Sequence, residues 1–590
     1  MCGIVGYSTV DINIIPLIIT SLHHLEYRGY DSVGISFVND NKIQTRKIAG
    51  RIAELERQFS DIPISQMAIA HTRWATHGKP TKENAHPHCI GKVALVHNGI
   101  IENYRSIKVD LIKKGCVFTS TTDTETIAHF INIAIQHCSP EVAIQSILQK
   151  FKGKYAVSFI IEGDDTIYAF RSSGSPISVG ILKDGYMLAS DLNTIAHHTN
   201  RFITIPDQHF LKMRNNSINT FNADGKEVTL SIVEKDIATS VFTKGDYDTF
   251  MMKEIHEQPQ VIKNILSHYT VSNKVHLNIP SIANFERVAI VACGTSYYAG
   301  NFAKYLIEHY ANVPVSVEIS SEFCNRKQCF LPKTLYIFAS QSGETADTIS
   351  AMEYAIANKT ECSKTLGILN NVQSSIAHKS DFVLECFTGA EIGVASTKNF
   401  IAQVTIFYLI AVQNLNDESV IQELTSIPQE IEKLLASDHS AIKKTADKVI
   451  DAKKVVFTGR TFLFPIACEG ALKLSELSYI SVQAIASGEF KHGPIAIVDD
   501  TTLVISLTHS QNMYEKTVHS NEEILSRSGV VVMIADTGDA EIQIAASNSY
   551  HHTHPLFFTI VVQLLSYYTA EKLGNDIDKP RNLAKSVTVE

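Results

Sequence analysis

Residues Val288–Glu308 read VAIVACGTSYYAGNFAKYLIE. A short unbroken apolar run meets a Cys-Gly-Thr turn, after which the apolar positions take helical spacing. That is the opening of a βαβ unit whose strand is covered on both faces. The pattern returns at Lys454–Glu476, KVVFTGRTFLFPIACEGALKLSE, with Gly459 standing where the first copy has Gly294. Further strand-like runs at Thr334–Ser340, Thr365–Leu369 and Asp381–Cys386 alternate with helix-like segments, and the alternation restarts at Lys453–Thr458. Two copies of a parallel α/β domain are predicted.

Upstream the rhythm differs. Strand-like runs at Gly3–Gly6, Gly34–Val38, Met67–Ala70, Lys92–His97, Tyr155–Ile161 and Thr166–Arg171 follow one another with helix-like segments only near Ile14–Leu25 and Thr124–Gln136. Strand after strand predicts packed sheets. The apolar pattern lapses over Asp236–Thr249, around Lys244, Gly245 and Asp246, which reads as a linker.

Composition bounds the function. At 590 residues, a prior of roughly 150 residues per domain gives three or four domains. A net charge of −9 and a pI near 6.2 argue against a basic face for nucleic acid. The most apolar runs, Asn399–Leu415 and Phe557–Tyr568, carry Gln, Asn or Ser and are too short to span a bilayer. There is no basic-then-apolar leader. The ten cysteines are scattered without a CxxC pair, which suits reduced thiols. Composition thus points to a cytoplasmic, multidomain protein without nucleic-acid or membrane partners and says nothing of its chemistry.

The N-terminal part carries four motifs in order: MCGIVG (Met1–Gly6), HTRWATHG (His71–Gly78), VHNG (Val96–Gly99) and TTDTE (Thr121–Glu125). Once Met1 is removed, the Cys2 thiol lies beside its own α-amine, whose reference pKa is about 7.7–8.0, so that amine can take the thiol proton. Taken singly, Asn-Gly also suits a turn and Arg73 a surface ion pair. His71, His77, His86, His88 and His97 show no tight ligand spacing, and no metal or cofactor is expected.

In this order the motifs resemble the class II, N-terminal-nucleophile amidotransferases over the opening 235 residues or so. The resemblance implies a four-layer αββα domain in which Cys2 releases ammonia from L-glutamine. It implies an oxyanion hole of the Asn98 side chain and the Gly99 N–H, neutral donors that stabilise a developing O⁻. Arg73 would grip the glutamine carboxylate and Asp123 its ammonium. Thr76 and His77 would line the pocket, and Arg28 would support the terminus.

In the second part, ASQSGETADT (Ala339–Thr348) sits at a strand-to-helix turn, where hydroxyls, backbone N–H groups and a helix N-terminus suit a phosphate. With ACGTS (Ala292–Ser296) it resembles the sugar isomerase (SIS) family, of flavodoxin-like αβα fold. Ser340, Gln341, Ser342 and Thr345, with Thr295 and Ser296, are the phosphate candidates. The corresponding place in the second copy, near Ser506–Ser510, lacks the pattern, so one sugar-phosphate site per chain is expected. EGALKLSELSY places Lys473 and Glu476 on one helical face, GEFKHGP presents His492, and PRNLAKSVTVE puts Lys585 near the end.

Together these strings resemble the glutamine–fructose-6-phosphate aminotransferase family across the whole chain. The resemblance implies formation of glucosamine 6-phosphate, the first step of hexosamine synthesis. Lys585 would form the Schiff base with fructose 6-phosphate, Glu476 would move the C1/C2 proton, His492 would open the ring, and Lys473 would assist. Val394 and Ser396 of GVASTK (Gly393–Lys398), with Ala584, would contact the sugar. Trp74 would gate ammonia, and His492 would act across a homodimer interface. The implied domains are a glutaminase at 2–238, a linker at 239–249, SIS domains at 250–430 and 431–580, and a catalytic tail at 581–590.

Overall fold

The computed structural model describes the chain except residues 1, 11, 60, 76–77, 173–175, 216, 235–242, 416–417, 512, 545–552 and 589–590. Thr76, His77 and the first residues of the expected linker thus lie outside the described residues. The chain forms two compact units, residues 1–242 with 584–590, and residues 243–583.

The first unit holds an eight-stranded and a six-stranded sheet. In the larger sheet, β1 (Gly3–Thr9) lies between Gly185–Ala189 and β2 (Met67–Arg73), antiparallel to both. All seven residues of β1 are buried, and alternate side chains serve different layers. Ile4 packs between the sheets with Ile69 of β2 and with Ala94 and Val96 of β3 (Val93–Gly99) in the smaller sheet. Val5 and Tyr7 face the other way, onto Ile15, Ile18 and Leu22 of α1 (Ile15–Leu25). Strand β3 does the same in mirror image, since Val93 and Leu95 meet Ile127 and Ile131 of α2 (Thr124–Ala134). The period-two alternation of each strand thus builds helix, sheet, sheet, helix. Helices at Tyr104–Lys113 and Pro140–Lys150 were not legible as elements. The first buries only Leu111, so its sequence carries almost no apolar stripe.

The second unit contains two five-stranded parallel sheets. After α3 (Phe250–Tyr269) come β4 (Arg287–Ala292), α4 (Gly294–Tyr310), β5 (Val315–Ile319), β6 (Thr334–Ala339), α5 (Ala346–Asn358), β7 (Lys364–Leu369) and β8 (Phe382–Glu385), in the order β5-β4-β6-β7-β8. Following α6 (Lys398–Val412), the second copy is β9 (Lys454–Gly459), α7 (Leu463–Ser478), β10 (Val482–Ala486), β11 (Thr502–Thr508), β12 (Val530–Ala535) and β13 (Ile542–Gln543), ordered β10-β9-β11-β12-β13. Both follow the flavodoxin-like order 2-1-3-4-5, whose switch point between first and third strands is where ligands bind.

The two sheets share one core. Every residue of α6 is buried, as is α8 (His554–Lys572) through Ala570, and a single apolar cluster runs from Met251 to Ile577. These helices are the apolar runs noted above. Among the described residues no helix is long and apolar enough to cross a membrane. Buried amides cross-link the copies: Gln258 Nε2 donates to Gln563 Oε1 at 2.7 Å, and Gln563 Nε2 to the Thr397 carbonyl at 3.3 Å.

A cavity in this core is felt by both copies. Phe407→Ala, at a fully buried α6 position, is expected to cost about 3–5 kcal/mol. Urea unfolding followed by far-UV circular dichroism should show one lowered transition for the second unit, with no early loss of either copy alone.

Candidate active site

Cys2 enters the large sheet at its centre. Gly3 is there because of space: a Cβ would meet Thr72 Oγ1 at 2.6 Å and Leu25 Cβ at 2.9 Å. The Cys2 carbonyl is held from two sides, by Arg28 Nε at 3.3 Å and Asn98 Nδ2 at 3.0 Å. Its sulfur accepts the Trp74 backbone N–H at 3.3 Å. Burial pushes the thiol pKa up, while the Trp74 N–H and the Arg73 and Arg28 guanidiniums pull it down. Arg28 is fixed by an ion pair with Asp191 at 3.2 Å, and Tyr27 donates to the same carboxylate.

Asn98 and Gly99 close β3. Gly99 has φ +117°, and a Cβ there would strike the Lys154 carbonyl at 2.1 Å, so glycine is required by angle and by space. Behind Asn98 stands a group of buried histidines. His71 Nε2 lies 3.0 Å from Asn98 Oδ1 and 3.0 Å from the His97 carbonyl. The His71 and His86 rings lie 4.2 Å apart, and those of His86 and His88 4.9 Å. His88 and His97 reach the hydroxyls of Thr122 and Thr124 at 3.1 and 2.9 Å. Burial lowers His71 and His88 to about 3 and His86 well below its usual value. These imidazoles are neutral at working pH.

Arg73, at the end of β2, is 3% exposed and donates to the carbonyls of Gly78 and Lys79 at 3.2 and 3.5 Å. Burial lowers its guanidinium pKa, with Cys2, Asp31 and Asp123 opposing, so these groups sit close enough to share a field. Asp123, also 3% exposed, accepts the Ile101 N–H at 2.8 Å just beyond β3. A buried cation and a buried anion beside a thiol are what an α-amino acid substrate needs.

In the second unit, Ser340–Thr345 links β6 to α5 at the switch point, next to the β4–α4 turn with Thr295 and Ser296. The Ser340 hydroxyl accepts the Gly343 N–H at 3.1 Å and pairs with Thr345 Oγ1 at 2.9 Å, so it shapes the loop from within. Ser342 Oγ accepts the Glu344 N–H at 3.1 Å. In the second copy the corresponding donors are spent: the Ser510 N–H and hydroxyl both bind Asp536, at 2.7 and 2.5 Å. The GVASTK loop is built around Glu391, which accepts the N–H groups of Thr397 and Asn399 at 3.0 and 3.2 Å and the Ser396 hydroxyl at 3.2 Å. The Val394 N–H donates to the Asp578 carbonyl at 3.0 Å.

Helix α7 carries a buried charge chain. Lys473 Nζ lies 2.5 Å from Glu476 and 3.7 Å from Glu469, whose other contact is the Thr295 hydroxyl at 3.2 Å. Burial pushes Glu469 up to about 8, with Glu476 adding and Lys473 and Thr295 opposing. Burial alone would lower Lys473, but Glu476 and Glu469 outweigh it and hold the ammonium above its ordinary pKa. Glu476 is the most exposed of the three, at 20%. His492 is exposed in this chain. Ala584 and Lys585 fall in the segment grouped with the first unit, just beyond Arg581, whose N–H donates to the Tyr479 hydroxyl at 2.9 Å.

A family model for a glutamine amidotransferase domain matches residues 71–197, and one for the SIS domain matches 281–413 and 448–571. A glutamine–fructose-6-phosphate aminotransferase (isomerizing) of Bradyrhizobium diazoefficiens is 38% identical over 613 residues, and one of Caulobacter vibrioides 39% over 610, each covering 100% of both chains. The chain belongs to the glutamine–fructose-6-phosphate aminotransferase family. The solved C-terminal domain of such an aminotransferase from Francisella tularensis is 32% identical with a TM-score of 0.51, covering 57% of this chain and 99% of its own.

Within this aminotransferase family framework, sequence reading missed Asp191, Asp31, Glu469 and the linkage of His71 to Asn98. Asp191 lies 163 residues from Arg28, and no local spacing announces such a pair. Glu469 stood inside the quoted EGALKLSELSY string, and its i, i+4 relation to Lys473 was the available signal.

The histidine cluster sets a pH dependence. Folded imidazoles with depressed pKa bind fewer protons than unfolded ones, so stability is lost as pH falls from 6.5 toward 3. Each such histidine contributes a slope of about 1.4 kcal/mol per pH unit within that window. Glu469, raised, acts with the opposite sign between 4.5 and 8, but belongs to the other unit. Trp74, the only tryptophan, reports the first unit alone. The urea midpoint read from its fluorescence should drop steadily between pH 6.5 and 4.5.

Proposed function

We propose that this chain makes glucosamine 6-phosphate and L-glutamate from fructose 6-phosphate and L-glutamine. The observation that carries the reading is the meeting of Cys2, Asn98 and the Trp74 N–H at one strand end, beside buried Arg73 and Asp123. After removal of Met1, the Cys2 thiol gives its proton to the α-amine and its sulfur attacks the glutamine amide carbon. Asn98 Nδ2 and the Gly99 N–H receive the oxyanion. Ammonia leaves with the returned proton, and water then cleaves the thioester to glutamate. Arg73 and Asp123 hold the amino-acid end, with Thr76 and His77 beside them, and Trp74 gates the ammonia.

The sugar phosphate is held by Ser340–Thr345 with Thr295 and Ser296, and the sugar by Val394, Ser396 and Ala584. Lys585 forms an imine at C2, ammonia displaces it, and Glu476 carries the proton between C1 and C2. The buried Glu469–Lys473 pair supports Glu476 by holding its carboxylate in place through the 2.5 Å contact with Lys473 Nζ. His492 opens the ring from the neighbouring subunit of a homodimer, a role that its exposure in this chain suits. Domain limits of 2–238, 239–249, 250–430, 431–580 and 581–590 accompany this reading, with a cytoplasmic setting suggested by ten free thiols.

Product analysis with glutamine and fructose 6-phosphate is the test. Glutamine hydrolysis without any glucosamine 6-phosphate would sink the acceptor assignment. Cys2→Ala is expected to abolish glutamine use and to keep conversion of fructose 6-phosphate to glucose 6-phosphate; loss of both argues against separable sites. Lys585→Arg should remove sugar conversion and leave glutaminase activity, and persistent aminosugar formation in that variant refutes the imine.

A further inference from the structure

We propose that His71 is a positioning residue that fixes which end of the Asn98 amide faces the nucleophile. The inference rests on the reading of Asn98 as an oxyanion donor. An asparagine amide has a donor end and an acceptor end of nearly the same shape, and only the donor end stabilises an oxyanion. Something must forbid the flipped form.

The His97 carbonyl, 3.0 Å from His71 Nε2, can only accept, so that nitrogen carries the hydrogen. The atom of Asn98 that faces the same nitrogen at 3.0 Å must therefore also accept, which makes it Oδ1. The NH₂ group is thereby turned to the Cys2 carbonyl at 3.0 Å, a second unambiguous acceptor. Flipping the amide would set donor against donor at His71 and acceptor against acceptor at Cys2. Nδ2 carries two hydrogens; one serves the Cys2 carbonyl, and the other remains for the substrate.

The arrangement keeps this polarity constant. His71 is fully buried, and its Nδ1 has no hydrogen-bond partner among the described residues, leaving a bare lone pair beside the His86 ring. With its pKa at about 3 it stays neutral, so the Nε2–H tautomer persists across the working range. His71 also spans the two sheets, standing on β2 while Asn98 stands on β3.

The test measures glutamine hydrolysis in the full chain for His71→Leu, His71→Gln, Asn98→Ala and the His71→Leu/Asn98→Ala pair. Removing the donor with His71→Leu should lower kcat on the order of 10²-fold with the KM for glutamine unchanged, the loss typical of one oxyanion-hole donor. His71→Gln, which returns an N–H at about the same reach, should recover most of it. In the Asn98→Ala background, His71→Leu should add no further loss. A normal kcat in His71→Leu, a raised KM with kcat intact, or losses that multiply in the double variant each overturn the role. Should Trp74 fluorescence show the first unit unfolded in His71→Leu, His71→Asn, polar but too short to reach Asn98, takes its place with the same expected loss. Full activity in Asn98→Ala overturns the oxyanion reading itself; loss there without loss in the His71 variants overturns only His71.

Discussion

A residue next to a chain end has to be held still if chemistry is to depend on it, although chain ends ordinarily fray. Here the anchoring comes from placing the terminal strand at the centre of a sheet, with Gly185–Ala189 on one side and Met67–Arg73 on the other. The absence of a side chain on Gly3 lets Thr72 and Leu25 close on the backbone. Two further donors, Arg28 and Asn98, take the Cys2 carbonyl. The rest of the first site is arranged around that fixed peptide: the Trp74 N–H at the sulfur, Gly99 at its unusual φ, and the buried Arg73 and Asp123.

The parts legible in the sequence were those whose chemistry lies in contiguous strings at strand ends. MCGIVG marks the start of a strand, and HTRWATHG, VHNG and SQSGET each mark a place where one stops. Packed sheets were readable from strand following strand, and the αββα layering came only with the family resemblance; it rests on alternate residues of β1 and β3 belonging to different cores. What stayed hidden is long-range or buried polar pairing. Arg28 with Asp191, Thr295 with Glu469, and Gln258 with Gln563 join residues far apart in the chain. The Ser340 hydroxyl was read as a phosphate donor, and it also staples its own loop through Gly343 and Thr345. A helix such as Tyr104–Lys113 leaves no pattern because almost nothing on it is buried.

The two α/β copies share topology but have parted in chemistry. After β6 the loop keeps a run of hydroxyls and amides at the switch point, whereas after β11 Ser510 commits its donors to Asp536. In the first loop the Gly343 and Glu344 N–H groups are taken by the neutral hydroxyls of Ser340 and Ser342, whereas the Ser510 donors meet a carboxylate, which repels anions. The two loops therefore differ in where their hydrogen bonds go, while the strand order is the same in both copies.

The common apolar cluster of the second unit has a consequence for how its two copies hold together. Helices α6 and α8 are buried on every side, so each copy relies on the other to cover it. Surfaces of that kind belong to obligate partners. Joined in one polypeptide, they make a pseudo-dimer whose halves cannot drift apart.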